Sequence, residues 1–122
     1  FPTRRSSDLW QWAHYTKNHR DRQNLLVHAA TVPVFHAGTL AVLAAPLTHP
    51  TGALAGLLMC AFAMHAQRRG HAREGEKPIP FEGPLDVATR ILAEQWVTFP
   101  RYLLSGEFSR AWEACEPEGG NE

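Results

Sequence analysis

The sequence predicts an all-α protein: a helical membrane hairpin followed by one or two amphipathic C-terminal helices. Four observations lead there. Two apolar runs, residues 24–47 and 51–74, flank the tip LTHPTG, where Pro50 and Gly52 signal a turn. Each run holds about 20 residues, which at about 1.5 Å of helical rise per residue matches a hydrocarbon core of about 30 Å. No Lys, Arg, Asp or Glu interrupts them between Asn24 and Arg68. Beyond a Pro/Gly-rich connector at residues 75–84, apolar positions recur at helical spacing from Leu85 onward.

The chain has 122 residues and a formal net charge of zero. That size suits one domain, and no basic surface for nucleic acid is visible. Cys60 and Cys115 match neither a disulfide framework nor a zinc pattern. Residues 1–9, FPTRRSSDL, read as the translation of a sequencing-adaptor oligonucleotide fused to a truncated gene. They are therefore set aside, and a few native N-terminal residues are expected to be missing. Residues 10–114 are read as a single helical membrane domain and residues 115–122 as a disordered tail.

Taken in order, residues 10–18 form a short amphipathic segment whose Trp10, Trp12 and Tyr15 suit a membrane–water interface. Asp21 is placed to cap the first long helix, and Asn24 and His28 share a face near its start. Pro33 is expected to kink that helix. Gly38, Ala41, Ala44 and Ala45 offer a small-residue surface, answered by Gly52, Ala55 and Gly56 on the second arm. Near the end of that arm, Gln67, His71 and Glu74 fall on one stripe, and Gly70 leaves room for close approach of a backbone or ligand. A third helix is expected from Leu85, with Pro84 in its first turn and Asp86 at its positive end. Leu85, Ala88, Ile91, Leu92, Trp96 and Phe99 make its apolar side, with Arg90 and Glu94 paired on the other. Its length suits a helix lying on the membrane or against the hairpin. Pro100 is expected to interrupt it and Ser105–Gly106 to stop it, before a last helix at residues 107–114 carrying Phe108 and Trp112.

Lys17, Arg20, Arg22, Arg68, Arg69 and Arg73 gather at the open end of the hairpin, and the tip has no basic residue. The positive-inside rule then puts the open end and both termini in the cytoplasm.

The same end carries the chemistry. Of the seven histidines, His19 and His28 flank the start of the first arm and His71 ends the second. Folding of the hairpin brings them to one depth. Iron sites commonly combine two His with one carboxylate and keep positions open for oxygen. His28, His71 and Glu74 could supply that set, with His19 as a further ligand. Asn24 and Gln67 would hold the rings in the required tautomer. Arg68, Arg69 and Arg73 are candidate anchors for a substrate carboxylate, although a positive-inside flank explains them equally well. The competing reading is that His, Gln and Asn simply bridge the helices by hydrogen bonds. His36, His49 and His65 are assigned to packing or solvation, and His14 to the interface.

Several motifs together resemble one family. These are H-x4-N-x3-H at His19, Asn24 and His28, then T-V-P at residues 31–33, and Q-x2-G-H-x2-E at Gln67, Gly70, His71 and Glu74 with Pro78 downstream. The combination resembles the 2-hydroxy fatty acid dioxygenases related to the yeast endoplasmic-reticulum enzyme for metabolism of phytosphingosine to odd-numbered fatty acids. EQWVTFPRYLLSG, at residues 94–106, looks like a bacterial branch. The resemblance implies Fe2+-dependent α-oxidation at a membrane, with a 2-hydroxy fatty acid shortened by one carbon and His19, His28 and His71 holding the iron. It implies an integral membrane protein, here of a bacterial inner membrane, with lipid or fatty-acyl substrate and no nucleic-acid partner. The rivals are a non-catalytic integral membrane protein and a soluble helical bundle that oligomerises through its apolar faces.

Overall fold

The computed structural model describes residues 12, 15, 19–75 and 80–115. The readings made of residues 1–9, Trp10, His14, Lys17, Pro78 and the tail after Cys115 lie outside these. Among the described residues the architecture is all helical, without strands. Helix α1 spans Arg22–Ala44 and continues as a short tight turn, Ala45–Leu47; helix α2 spans Thr51–His71. Helix α3 covers Pro84–Ala93, a wide π turn covers Glu94–Thr98, and helices α4, Phe99–Leu104, and α5, Glu107–Ala114, complete the order.

Asp21 starts α1 as expected: its carboxylate accepts from the amides of Gln23 and Asn24. The helix runs on past Pro33 to Ala44. At the tip His49 takes over part of the turn, its Nδ1 accepting the Thr51 amide at 3.2 Å. Helices α1 and α2 pack along their length as an antiparallel hairpin. Glycines make this approach possible. A Cβ on Gly38 would sit 2.7 Å from the Gly56 carbonyl oxygen, and one on Gly56 would collide in turn with the carbonyl of Gly38. Further toward the open end, a Cβ on Gly70 would overlap the Asn24 side chain. Small residues thus zip the arms, since backbones can meet only where no side chain separates them.

The burial pattern is inverted relative to composition. Inside lie Asn24, His28, Thr31, Gln67, Gln95 and Thr98, each at most 7% exposed. Outside lie Leu40, Leu43, Leu54, Leu57, Leu58 and Phe62, all at least 56% exposed. Buried polar groups must find partners, and these do. The Gln67 and Gln95 amides bond each other reciprocally at 2.7 and 3.1 Å, and Gln67 also donates to the Thr31 hydroxyl at 2.9 Å. This pairing joins the second arm to the π turn. His36 adds a second tie by bonding the Gln95 carbonyl oxygen and stacking on Trp96 at 4.0 Å between ring centroids.

Only one of the two arms is long and apolar enough by itself to cross a membrane. The stretch Arg22–Leu47 has a mean hydropathy of 1.6 over its most apolar window. The apolar part of α2 ends at Ala66, before Gln67, Arg68 and Arg69. From Thr51 that gives about 24 Å of helix, short of the roughly 30 Å core.

Three further expectations need correction. Pro100 does not interrupt the helical path; it lies in the first turn of α4. The π turn before it has Phe99 donating to the Glu94 carbonyl five residues back. This widening moves the carbonyls that a proline ring would strike in a regular α-turn. Arg90 does not pair with Glu94: it reaches Asp86 at 3.4 Å and the Pro80 carbonyl at 3.2 Å. Tyr15 is no interfacial ring either, because it is 5% exposed and belongs to the core with Leu25, Val32, Phe99 and Tyr102. The stop at Gly106 does hold, with φ at 91°, a conformation glycine adopts freely. Arg22 then ties α5 back to α1, donating to the carbonyls of Trp112 and Cys115 at the negative end of α5 and lying over the Trp112 ring.

Because the Gly38–Gly56 crossing has no room for a β-carbon, Gly56→Val is expected to cost about 1–3 kcal/mol in denaturant unfolding. Gly75→Ala, at a position with nothing within 4 Å, should stay within about 0.5 kcal/mol of the parent.

Candidate metal centre

Four segments meet at the open end of the hairpin. His19 precedes the N-terminus of α1, His28 lies two turns into it, His71 closes α2, and Glu94 opens the π turn. One ligand-capable atom from each lies within 4.8 Å of the others, and this His/Glu cluster could hold a metal ion. The imidazole Nε2 atoms of His19 and His28 are 3.3 Å apart. Glu94 Oε2 is 3.3 Å from His28 Nε2 and 3.6 Å from His19 Nε2. The His71 ring stands edge-on to both, with centroid distances of 4.8 and 5.0 Å.

The other ring nitrogens explain what this convergence demands. His19 Nδ1 bonds the Tyr15 carbonyl at 2.7 Å, and His28 Nδ1 bonds the Asn24 carbonyl at 3.0 Å. A carbonyl only accepts, so each Nδ1 must carry the proton. In the neutral rings both Nε2 atoms then present lone pairs, toward each other and toward a carboxylate. Such a set is repulsive unless a cation, whether a metal ion or a proton, lies among the atoms. Donors bound at about 2.1 Å to a common ion stand roughly 3.0–3.4 Å apart when adjacent, close to the separations found here. Backbone carbonyls at Nδ1 also fix ring orientation, as they commonly do for metal-binding histidines.

Burial supports the neutral state of His19. His19 is 2% and His28 0% exposed. Burial pushes the His19 pKa below the ordinary histidine value, and the pull of Glu94 in the other direction does not overcome it. Tyr15 sits over the centre, its ring stacked on His19 at 3.8 Å and its hydroxyl donating to Glu94 Oε2 at 2.9 Å. Burial, followed by the neighbouring Glu94 charge, raises the Tyr15 pKa well above that of an ordinary phenol. The hydroxyl therefore remains a donor at neutral pH.

Of the ligand set expected from sequence, the structure brings His19, His28 and His71 together but not Glu74. The reason is where α2 ends. A stripe through Gln67, His71 and Glu74 requires helix up to residue 74, whereas the helix closes at His71 with Ala72 as its cap. Glu74 turns back instead to the start of α1. There it accepts from the amides of Arg20 at 2.8 Å and Asp21 at 3.0 Å, and from the Asn24 side chain at 2.7 Å. It clamps the segment next to His19. Asn24 holds the His28 ring through its main-chain carbonyl rather than its side chain. Gln67 is committed to Thr31 and Gln95 and orients no imidazole. Arg73 pairs with Asp21 at 3.2 Å, while Arg68 and Arg69 are exposed on the last turn of α2.

Glu94 escapes a sequence reading that gives it to Arg90. The clue available was the polar pair Glu94–Gln95 set among Ile91, Leu92, Trp96 and Val97. Two polar residues on a greasy segment belong inside when the outside is apolar.

Separate roles for the two glutamates give separate outcomes. Glu94→Ala should weaken Co2+ binding, measured by equilibrium dialysis, by more than about 100-fold with little loss of stability. Glu74→Ala, which strips an acceptor from three donors, should cost about 1–3 kcal/mol in unfolding and change affinity by about tenfold or less.

Comparison with protein-family models, with curated proteins and with solved structures returned no match, so the candidate site stands on its own geometry.

Proposed function

We propose that this chain is an iron(II)-dependent dioxygenase that shortens 2-hydroxy fatty acids by one carbon at a membrane surface. The observation that carries the reading is the meeting of three imidazoles and a carboxylate at one point, with Nδ1 of two rings already spent on carbonyls. Neutral imidazole and carboxylate together are the donor set of non-haem Fe2+ oxygen enzymes. His19, His28, His71 and Glu94 would hold the ion. Bound iron would supply the redox chemistry with oxygen that spin pairing otherwise makes slow.

The protein's own contribution is placement and exclusion. His19 and His28 keep fixed rings, with Tyr102 and Phe99, both at most 2% exposed, packed beside them. The leucine-rich exterior of the hairpin supports a membrane setting, since exposed apolar area of this extent marks lipid or partner contact. An acyl chain could then lie beside the arms with its carboxylate at the polar end, where Arg68 and Arg69 stand as candidate anchors. The arginines at that end are the basis for orienting it toward the cytoplasm, in a bacterial inner membrane.

The second reading, helix bridging without catalysis, draws on the reciprocal Gln67–Gln95 pair. In it a proton, not a metal ion, lies between the imidazoles and Glu94. Anaerobic purification in detergent separates the two. Iron near one equivalent, oxygen uptake with a 2-hydroxy fatty acid, and a fall of roughly 100-fold or more in both on His28→Ala are expected. A protein that binds no metal, or turnover unchanged by His28→Ala, would overturn the proposal.

A further inference from the structure

Tyr15 touches two of the four candidate ligands at once without being a ligand itself. Its carbonyl accepts from His19 Nδ1–H at 2.7 Å, its ring stacks on the His19 ring at an interplanar angle of 18°, and its hydroxyl donates to Glu94 Oε2 at 2.9 Å. The ring is itself held in place. Tyr102 meets it edge-on at 4.8 Å and Phe99 lies at 6.5 Å. A buried hydroxyl locked by packing is a fixed donor, unlike one that rotates in solvent.

The consequence falls on Glu94. A carboxylate oxygen that accepts a hydrogen bond has one lone pair fewer for an ion, and the carboxylate cannot rotate without breaking that bond. We propose that Tyr15 is a positioning residue of the metal centre, whose hydroxyl holds the Glu94 carboxylate in one orientation and so sets how tightly and in what geometry the ion is bound. The inference rests on the metal-centre reading above. It adds that Tyr15, from before α1, acts on the π turn across the site.

The main-chain and side-chain contributions of Tyr15 are separable. Tyr15→Phe keeps the carbonyl and the ring and removes only the hydroxyl. Co2+ serves as the probe on the full chain in detergent, because its visible absorption reports ligand geometry without turnover. Tyr15→Phe is expected to weaken Co2+ binding by about 10–100-fold and to change the d–d band shape, with helical circular dichroism unchanged. In a Glu94→Ala background the further loss on Tyr15→Phe should shrink below about twofold, since residues acting through one group are not additive. Parental affinity and band shape in Tyr15→Phe would overturn the inference, as would an equal loss in the presence and absence of Glu94. Failure of the parent chain to bind Co2+ or Fe2+ at all would instead sink the metal-centre reading itself.

Discussion

Close contact between two backbones governs this molecule. Gly38 and Gly56 meet where no β-carbon fits, and Gly70 yields its space to the Asn24 side chain. Each meeting sets the separation of the arms, and the arms carry His28 and His71. A bulkier seam would move these rings apart by more than a metal–ligand bond can follow. The chemistry at the open end is therefore a product of absent side chains farther along the hairpin.

Beside the buried Leu25, Val32, Phe35, Phe99 and Tyr102, the interior also holds a set of polar groups. Thr31, Gln67 and Gln95 form a closed hydrogen-bonded set, which removes the cost of burying them. Many leucines that composition would assign to a core, among them Leu40, Leu43, Leu54, Leu57 and Leu58, face outward. This inversion gives the protein an apolar coat around a polar seam, the arrangement a lipid solvent favours.

The π turn is the least regular helical element and the most consequential. Its widened turn accommodates Pro100, presents the Gln95 carbonyl to His36, and aims Glu94 at the histidines and Gln95 at Gln67. Wide turns of this kind often occur at functional sites, and here the reason is geometric. Consecutive side chains are turned toward the hairpin, one to the candidate ligands and the next to the polar seam.

Much of this was legible in the residues. The hairpin, its turn between Leu47 and Gly52, the cap at Asp21, Pro84 in the first turn of α3, the stop at Gly106 and the last helix all follow from short-range rules. So does the placing of His19, His28 and His71 at one end, because an antiparallel hairpin of known arm lengths returns the chain to its starting depth. What local rules could not decide was which carboxylate faces those rings. Glu74 is near in sequence, but the helix closes three residues before it, and its oxygens go to the amides that begin α1. Glu94 is remote, reaching the rings only because a glutamine pair and a widened turn dock that segment on the hairpin. Helix periodicity reports faces within an element; it carries no information on which element closes a gap between two others. That choice belongs to the tertiary packing, where the Tyr15 hydroxyl, the Glu94 carboxylate and the imidazoles share a space none of them defines alone.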